Sequence, residues 1–215
     1  MKAMSSRPNT PRLDRSELIE RLRARIGHDL RTPLTVIIGY ASLVAGDDLE
    51  SQAASDAIVA AAEHVSAALD DLELVLGLSS GAIEARPAPV DLRRIVEEAA
   101  HQVHRRRRQP LDEPAGSGRP TVHADSEHLT RALRRVIASA CEHAPVGVRI
   151  EVEADVENDH AAVRVTGANL TDAADSDLRL ALAAALLELG GGSLEFHGDV
   201  ATILVPLAAR QATAA

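Results

Sequence analysis

The sequence predicts an α+β protein, a long helical hairpin followed by an α/β sandwich. Three observations predict it. Apolar residues recur at spacings of three and four through most of the first 80 positions. A Ser/Gly/Pro-rich break follows, Ser79-Ser80-Gly81 and then Pro87-Ala88-Pro89. Beyond it, short alternating runs of strand character interleave with further helical patterns.

Residues 1–10 are polar and expected to fray. Thr10-Pro11 has the form of an N-cap followed by proline at the first helical position. From there Leu18, Leu22, Ile26, Leu30, Leu34, Ile37, Ala41 and Val44 form one apolar stripe, and Pro33 inside it predicts a bend. Gly46-Asp47-Asp48 reads as a turn. A second stripe, Ala54, Ala57, Ile58, Ala61, Val65, Ala68, Leu72, Val75 and Leu76, predicts a helix over about 50–78. Two long helices on a short turn make a hairpin that buries its stripes poorly alone, and pairing two copies into a four-helix bundle solves that. A homodimer is therefore expected. The predicted organisation is a frayed start at 1–10, the hairpin at 11–80, a linker at 81–89, the α/β domain at 90–208 and a loose tail at 209–215.

In the second domain Asp91 can cap a helix carrying Leu92, Ile95, Val96, Ala99 and Val103. A basic run, Arg105 to Arg108, and a Pro/Gly-rich loop to Pro120 follow. Thr121 to Ala124 suits a short strand. Asp125 or Ser126 can cap a helix with Leu129, Leu133, Val136, Ile137 and Ala140 on one face. Alternation predicts strands at 147–155 and around Ala161, Val163 and Val165. Residues 178–189 are almost wholly apolar, a buried helix ended by Gly190-Gly191-Gly192. Leu194/Phe196 and Ile203/Val205/Leu207 predict two last strands. Together these predict helices over one face of a mixed sheet.

Composition excludes several functions. One Tyr, one Phe and no Trp leave almost no ring on which a base could stack, and a net charge of -9 disfavours nucleic acid. The lone Cys141 allows no intrachain disulfide and fits a reducing compartment. No apolar run approaches the roughly 20 residues a bilayer requires, and the N-terminus lacks the apolar core of a signal peptide. A cytoplasmic protein without membrane contact is expected. His101 and His104 lie three apart, but together with Arg105 to Arg108 they read as a solvated basic face, and no metal-ligand spacing occurs.

One motif carries chemistry. His28-Asp29-Leu30-Arg31-Thr32-Pro33-Leu34 sits midway along the first predicted helix. A neutral imidazole can attack phosphorus through one ring nitrogen, while the other needs a partner that fixes the tautomer and stabilises the cation. Asp29 can be that partner. Arg31 can meet a phosphate or an acidic partner surface. Thr32 follows His28 by one helical turn on nearly the same face. The bland reading is a surface histidine beside a proline kink.

This run, with Thr35 to Tyr40 after it, resembles the H-box of bacterial two-component histidine kinases. The resemblance implies that His28 is a phosphoacceptor, that a polar residue at Thr32 can position water for dephosphorylating a partner, and that the partners are response-regulator receiver domains. It also points to Thr35, Tyr40 and the start of the second helix for receiver recognition. The order of elements after Val90 resembles the family's ATP-binding domain, of the GHKL type, most clearly at 122–140 and 178–194. The departures fall on ATP chemistry. Where the family's asparagines hold magnesium and phosphate, this chain carries Arg135 and Ser139, and the next basic residue is Glu142. Arginine cannot ligate a metal. The D-x-G-x-G pattern that reads adenine is missing after Val165, and Asp177 and Arg179 stand at the glycines of the G-x-G-L box. Only six residues separate Leu170 from Asp177, too few for a lid over nucleotide.

The expectation is a degenerate GHKL domain without cofactor or metal, attached to a histidine phosphotransferase that moves phosphoryl groups between receiver aspartates through His28. Two alternatives stay open: a pseudokinase scaffold or phosphatase of a response regulator, and an active kinase with an aberrant ATP site.

Overall fold

The computed structural model describes residues 15–41, 44, 49–107, 119–144, 149–155, 159–167, 170–174 and 177–208. The chain divides into two compact units, 14–83 and, apart from the N-terminal residues, 84–215.

The first unit is a hairpin of α1 (Arg15–Ala41) and α2 (Leu49–Ser80). The expected helix start at Thr10-Pro11 and the turn at Gly46-Asp47-Asp48 lie outside the described residues. Ala54, Ala61, Leu74 and Val75 of α2 are buried. Other apolar side chains stay uncovered by the hairpin, among them Leu34, Ile38, Val59, Leu69 and Leu76. Leu34 and Leu76 belong to the stripes read from the sequence, so one hairpin leaves part of its apolar surface bare. At the end of α2, Gly81 donates to the Leu78 carbonyl and Ala82 to that of Gly77.

The second unit begins with β1 (Ala88–Asp91), which pairs antiparallel with β2 (Thr121–Ala124). Ala88 and Pro89, read above as linker, therefore lie in a strand. Short proline-flanked runs such as this carry no periodic signal. Helix α3 (Leu92–Arg107) buries the five apolar residues expected on its face, and the Asp91 carboxylate accepts from the Arg94 amide as an N-terminal cap. Helix α4 (Ser126–His143) likewise buries Leu129, Leu133, Val136, Ile137 and Ala140.

The main sheet holds β3 (Arg149–Asp155), β4 (His160–Thr166), β5 (Ser193–His197) and β6 (Val200–Pro206) in the order β3-β4-β6-β5. Every pairing is antiparallel, which corrects the expected mixed sheet. The reason is connectivity: β3–β4 and β5–β6 are hairpins, and α5 (Thr171–Ala174) and α6 (Leu178–Leu189) return the chain so that β6 lies antiparallel to β4. Ala161, Val163 and Val165 of β4 and Ala201, Ile203 and Val205 of β6 point inward at 0–2% exposure, the period of two that a half-covered sheet requires. Helix α6 is buried on nearly every side and packs on α4. That explains its unbroken apolar sequence.

Two glycines end α6. Gly191 turns the chain at φ 76°, a left-handed conformation, and its amide donates to the Glu188 carbonyl. At Gly192 a Cβ would meet the Leu204 carbonyl oxygen at 2.6 Å, a backbone atom that cannot step aside. Gly192→Ala is expected to lower the stability of this unit by about 1–3 kcal/mol, read as a drop in the urea midpoint at unchanged slope.

Candidate functional site

The chemistry-bearing motif lies where the periodicity put it. His28, Asp29, Arg31 and Thr32 are all on α1, with Pro33 inside the helix. Pro33 is buried, Asp29 half-buried, and Arg31, Thr32, Thr35 and Tyr40 exposed. The backbone of His28 is helical, and its side chain lies outside what is described. Lacking an N–H, Pro33 cannot donate the helical bond to the Asp29 carbonyl, just past His28. The Thr35 hydroxyl turns back on its own helix and donates to the Arg31 carbonyl at 2.9 Å.

The second group of candidates is in the α/β unit. Ser139 and Glu142 lie one turn apart on α4, and Asp177 and Arg179 flank the start of α6. Asp177 is the N-cap of α6, accepting from the Arg179 amide at 2.9 Å. Its other oxygen accepts from the Ser139 hydroxyl at 2.7 Å and from Arg179 Nη2 at 3.0 Å, while Arg179 Nε donates to Oδ1 at 3.1 Å. Arg179 Nη2 also donates to Glu142. Residues 38 and 37 positions apart in sequence are thus joined into one cluster. Ser139 is fully buried and Asp177 is 5% exposed.

Burial alone would raise the Asp177 carboxyl, but the Arg179 hydrogen bonds and charge, the Ser139 hydroxyl and the Arg179 amide outweigh it and hold it below the ordinary carboxylate range. Burial would likewise lower Arg179. Glu142 and Asp177 reverse that and keep the guanidinium firmly charged. Arg135 stands one turn before Ser139 on α4, with Nη1 donating to the Arg131 carbonyl at 3.4 Å. The sequence singled out each of these positions as a departure. It did not show that they answer one another, because pairing between α4 and α6 leaves no local periodic trace. His143, whose Nδ1 lies 2.9 Å from the Ser139 carbonyl, was also missed.

This arrangement does not fit a magnesium nucleotide. Where phosphates would require free donors, the Ser139 hydroxyl, the Arg179 guanidinium and the Arg179 amide are directed at the chain's own carboxylates. An ionised, buried carboxylate sits among them and would repel phosphate. Among the described residues, no group of three or more His, Cys, Asp or Glu is placed to hold a metal.

A third polar node steadies the entrance to this unit. Asp125 caps α4 by accepting from the Glu127 and His128 amides at 3.0 and 3.1 Å, and its second oxygen takes the Arg86 amide at 2.9 Å. Burial opposes ionisation here, yet the His128 and Arg86 amides, the nearby His128 charge and the Glu127 amide hold the carboxyl below its ordinary 3.8. A depressed carboxyl adds stability that is present above its unfolded value and lost as pH falls through its folded one. Asp125→Ala is therefore expected to lower stability by about 1–2 kcal/mol at neutral pH. In urea unfolding the gap from the parent should narrow below pH 3.8.

The model of the His Kinase A (phospho-acceptor) domain matches residues 18–76. A probable sensor histidine kinase, TcrY of Mycobacterium tuberculosis, is 29% identical over 148 residues, covering 66% of this chain and 30% of its own length. The sensor histidine kinase MtrB of Mycobacterium bovis is 29% identical over 166 residues, covering 71% of this chain and 28% of its own. The chain thus spans less than a third of these relatives. Among solved structures, the Acinetobacter baumannii histidine kinase AdeS superposes with a TM-score of 0.62 at 16% identity, over 84% of this chain and 97% of that one. Full-length ShkA, solved with AMPPNP, superposes at 0.54 and 21% identity, over 88% of this chain and 46% of that one. These superpositions show a shared fold. Among the described residues no helix is long and apolar enough to cross a membrane.

Proposed function

We propose that this chain, which matches the His Kinase A phospho-acceptor domain over residues 18–76 and shares its fold with solved histidine kinases, is a histidine phosphotransferase of a two-component phosphorelay, a phospho-acceptor hairpin joined to a GHKL-type α/β domain and working without ATP. The observation that carries this reading is the self-paired cluster of Ser139, Asp177, Arg179 and Glu142 at the positions where the resemblance puts nucleotide contacts. The phospho-acceptor motif is kept whole on α1 while the nucleotide positions are spent on internal bonds.

In the proposed reaction a ring nitrogen of neutral His28 attacks the phosphorus of an acyl phosphate on a receiver aspartate. The N–P bond forms, the P–O bond to the aspartate breaks, and the carboxylate leaves with the bonding pair. The proton on the other ring nitrogen stays, and Asp29 stabilises the resulting cation. Transfer to a second receiver reverses these steps. Arg31, exposed on the same helix, meets the phosphoryl group or the acidic receiver pocket. The bare apolar side chains Leu34, Ile38, Val59, Leu69 and Leu76 support pairing of two hairpins in a homodimer.

The test is to offer labelled phosphate to the purified protein in two forms, as ATP and as a phosphorylated receiver domain from the same genome. Label taken only from the receiver establishes the phosphotransferase. Label taken from ATP alone overturns it in favour of a kinase. Faster loss of phosphate from the receiver without labelling of this protein replaces it with a phosphatase, acting through water held at Thr32.

A further inference from the structure

The residues that depart from the nucleotide-binding pattern do more than lack the old function. We propose that Ser139, Glu142, Asp177 and Arg179 form an internal clasp that takes the place of a ligand between α4 and α6, holding the start of α6 in one conformation whether or not nucleotide is present. The proposal rests on the reading above that these positions no longer serve nucleotide, but not on transfer at His28, which the receiver assay tests separately.

Each bond of the clasp fills a role that an anionic ligand fills elsewhere. The N-terminus of a helix offers unpaired amides and a partial positive charge, a natural seat for an anion. At α6 that anion is supplied by the chain itself. The Asp177 side chain takes the Arg179 amide, and the Asp177 carbonyl takes those of Leu180 and Ala181 at 3.1 and 3.2 Å. Arg179 then folds back over the carboxylate through Nε and Nη2, and the Ser139 hydroxyl closes it from α4. Glu142 completes the cluster from the solvent side, with its side chain 35% exposed against 5% for Asp177. The four residues thus run from the fully buried hydroxyl to the rim, with the Arg179 guanidinium bridging two carboxylates.

The clasp is tied to the chain that leads into α6. The Asp177 amide donates to the Ala173 carbonyl at 2.8 Å, and the Ala174 amide to that of Leu170 at 2.8 Å. Leu170, Ala173 and Ala174 are themselves buried. The approach to the helix is therefore anchored on both its polar and its apolar sides. A domain built in this way offers partners a fixed surface.

Hydrogen exchange of the Leu180 and Ala181 amides in the full chain tests this. Arg179→Met is expected to speed their exchange about ten-fold or more, and Glu142→Gln about two- to five-fold. The double variant should be no faster than Arg179→Met, because the bond to Glu142 is already lost in Arg179→Met. Adding magnesium and AMPPNP to the parent protein should leave these amides unchanged. If Arg179→Met fails to fold, the exposed Glu142→Gln change decides alone. Parent-like exchange in whichever variants fold, additive effects in the pair, or slower exchange with AMPPNP would each overturn the clasp.

Discussion

His28→Ala is expected to reduce phosphoryl transfer from a phosphorylated receiver by at least about a thousand-fold, because the substitution removes the only nucleophile that the proposed relay uses. Asp29→Ala should act on the same step without abolishing it. Its expected loss is about ten- to a hundred-fold, the range for a group that orients and stabilises a reacting imidazole. The two variants should also differ in kind. Asp29→Ala leaves the nucleophile in place without the partner that fixes its tautomer, so slow transfer persists, whereas His28→Ala leaves no nucleophile. Single-turnover transfer from a labelled receiver separates them. Receiver binding gives the control: His28→Ala should leave affinity within a few-fold if the histidine acts in chemistry rather than in docking. If His28→Ala transfers phosphate at the parent rate, the acceptor is another residue and the H-box assignment fails.

How much of this was legible in the sequence varied with the physics of each part. The faces of α3 and α4 were read residue by residue, because a helix on a sheet buries one stripe and shows the rest to water. The alternation of β4 was legible for the matching reason in a strand. The hairpin stripes were read as faces that one hairpin covers poorly, and Leu34 and Leu76 keep the helical spacing while exposed, since periodicity says which residues share a face and not what covers it. Strand direction was not legible at all, because whether β6 lies parallel or antiparallel to β4 is decided by how the chain returns through α5 and α6. The run from His28 to Leu34 lies in adjacent residues, so its resemblance to an H-box is visible without the fold. The clasp could not: Ser139 and Asp177 are 38 positions apart, and each looks like the loss of something until its partner is seen.

The second large effect is expected at Asp177. Asp177→Ala should lower the stability of the α/β unit by about 2–4 kcal/mol, more than a lost helix cap explains. The substitution removes a cap, strands the Ser139 hydroxyl at a position with no exposure, and leaves Arg179 with one carboxylate instead of two. A stranded buried donor costs more than its bond contributed, since desolvation is no longer offset. Asp177→Asn should lose less, about 1–2 kcal/mol, because the amide oxygen can still cap α6 and meet one neighbour. The pH dependence follows from the depressed carboxyl. Its contribution is complete above the ordinary value of 3.8 and is lost as pH falls through the lower folded value. The gap between the parent and Asp177→Ala should therefore hold at neutral pH and close in acid. Far-ultraviolet circular dichroism in urea serves for the measurement. The single tyrosine, Tyr40, lies on α1, so its fluorescence follows the hairpin and shows whether the two units unfold together. A substitution at Asp177 that leaves the urea midpoint unchanged would mean that the buried ion pair and the groups around it are neutral to folding, as a balance of desolvation and attraction allows. The cluster would then be a consequence of the α4–α6 packing and not a cause of it.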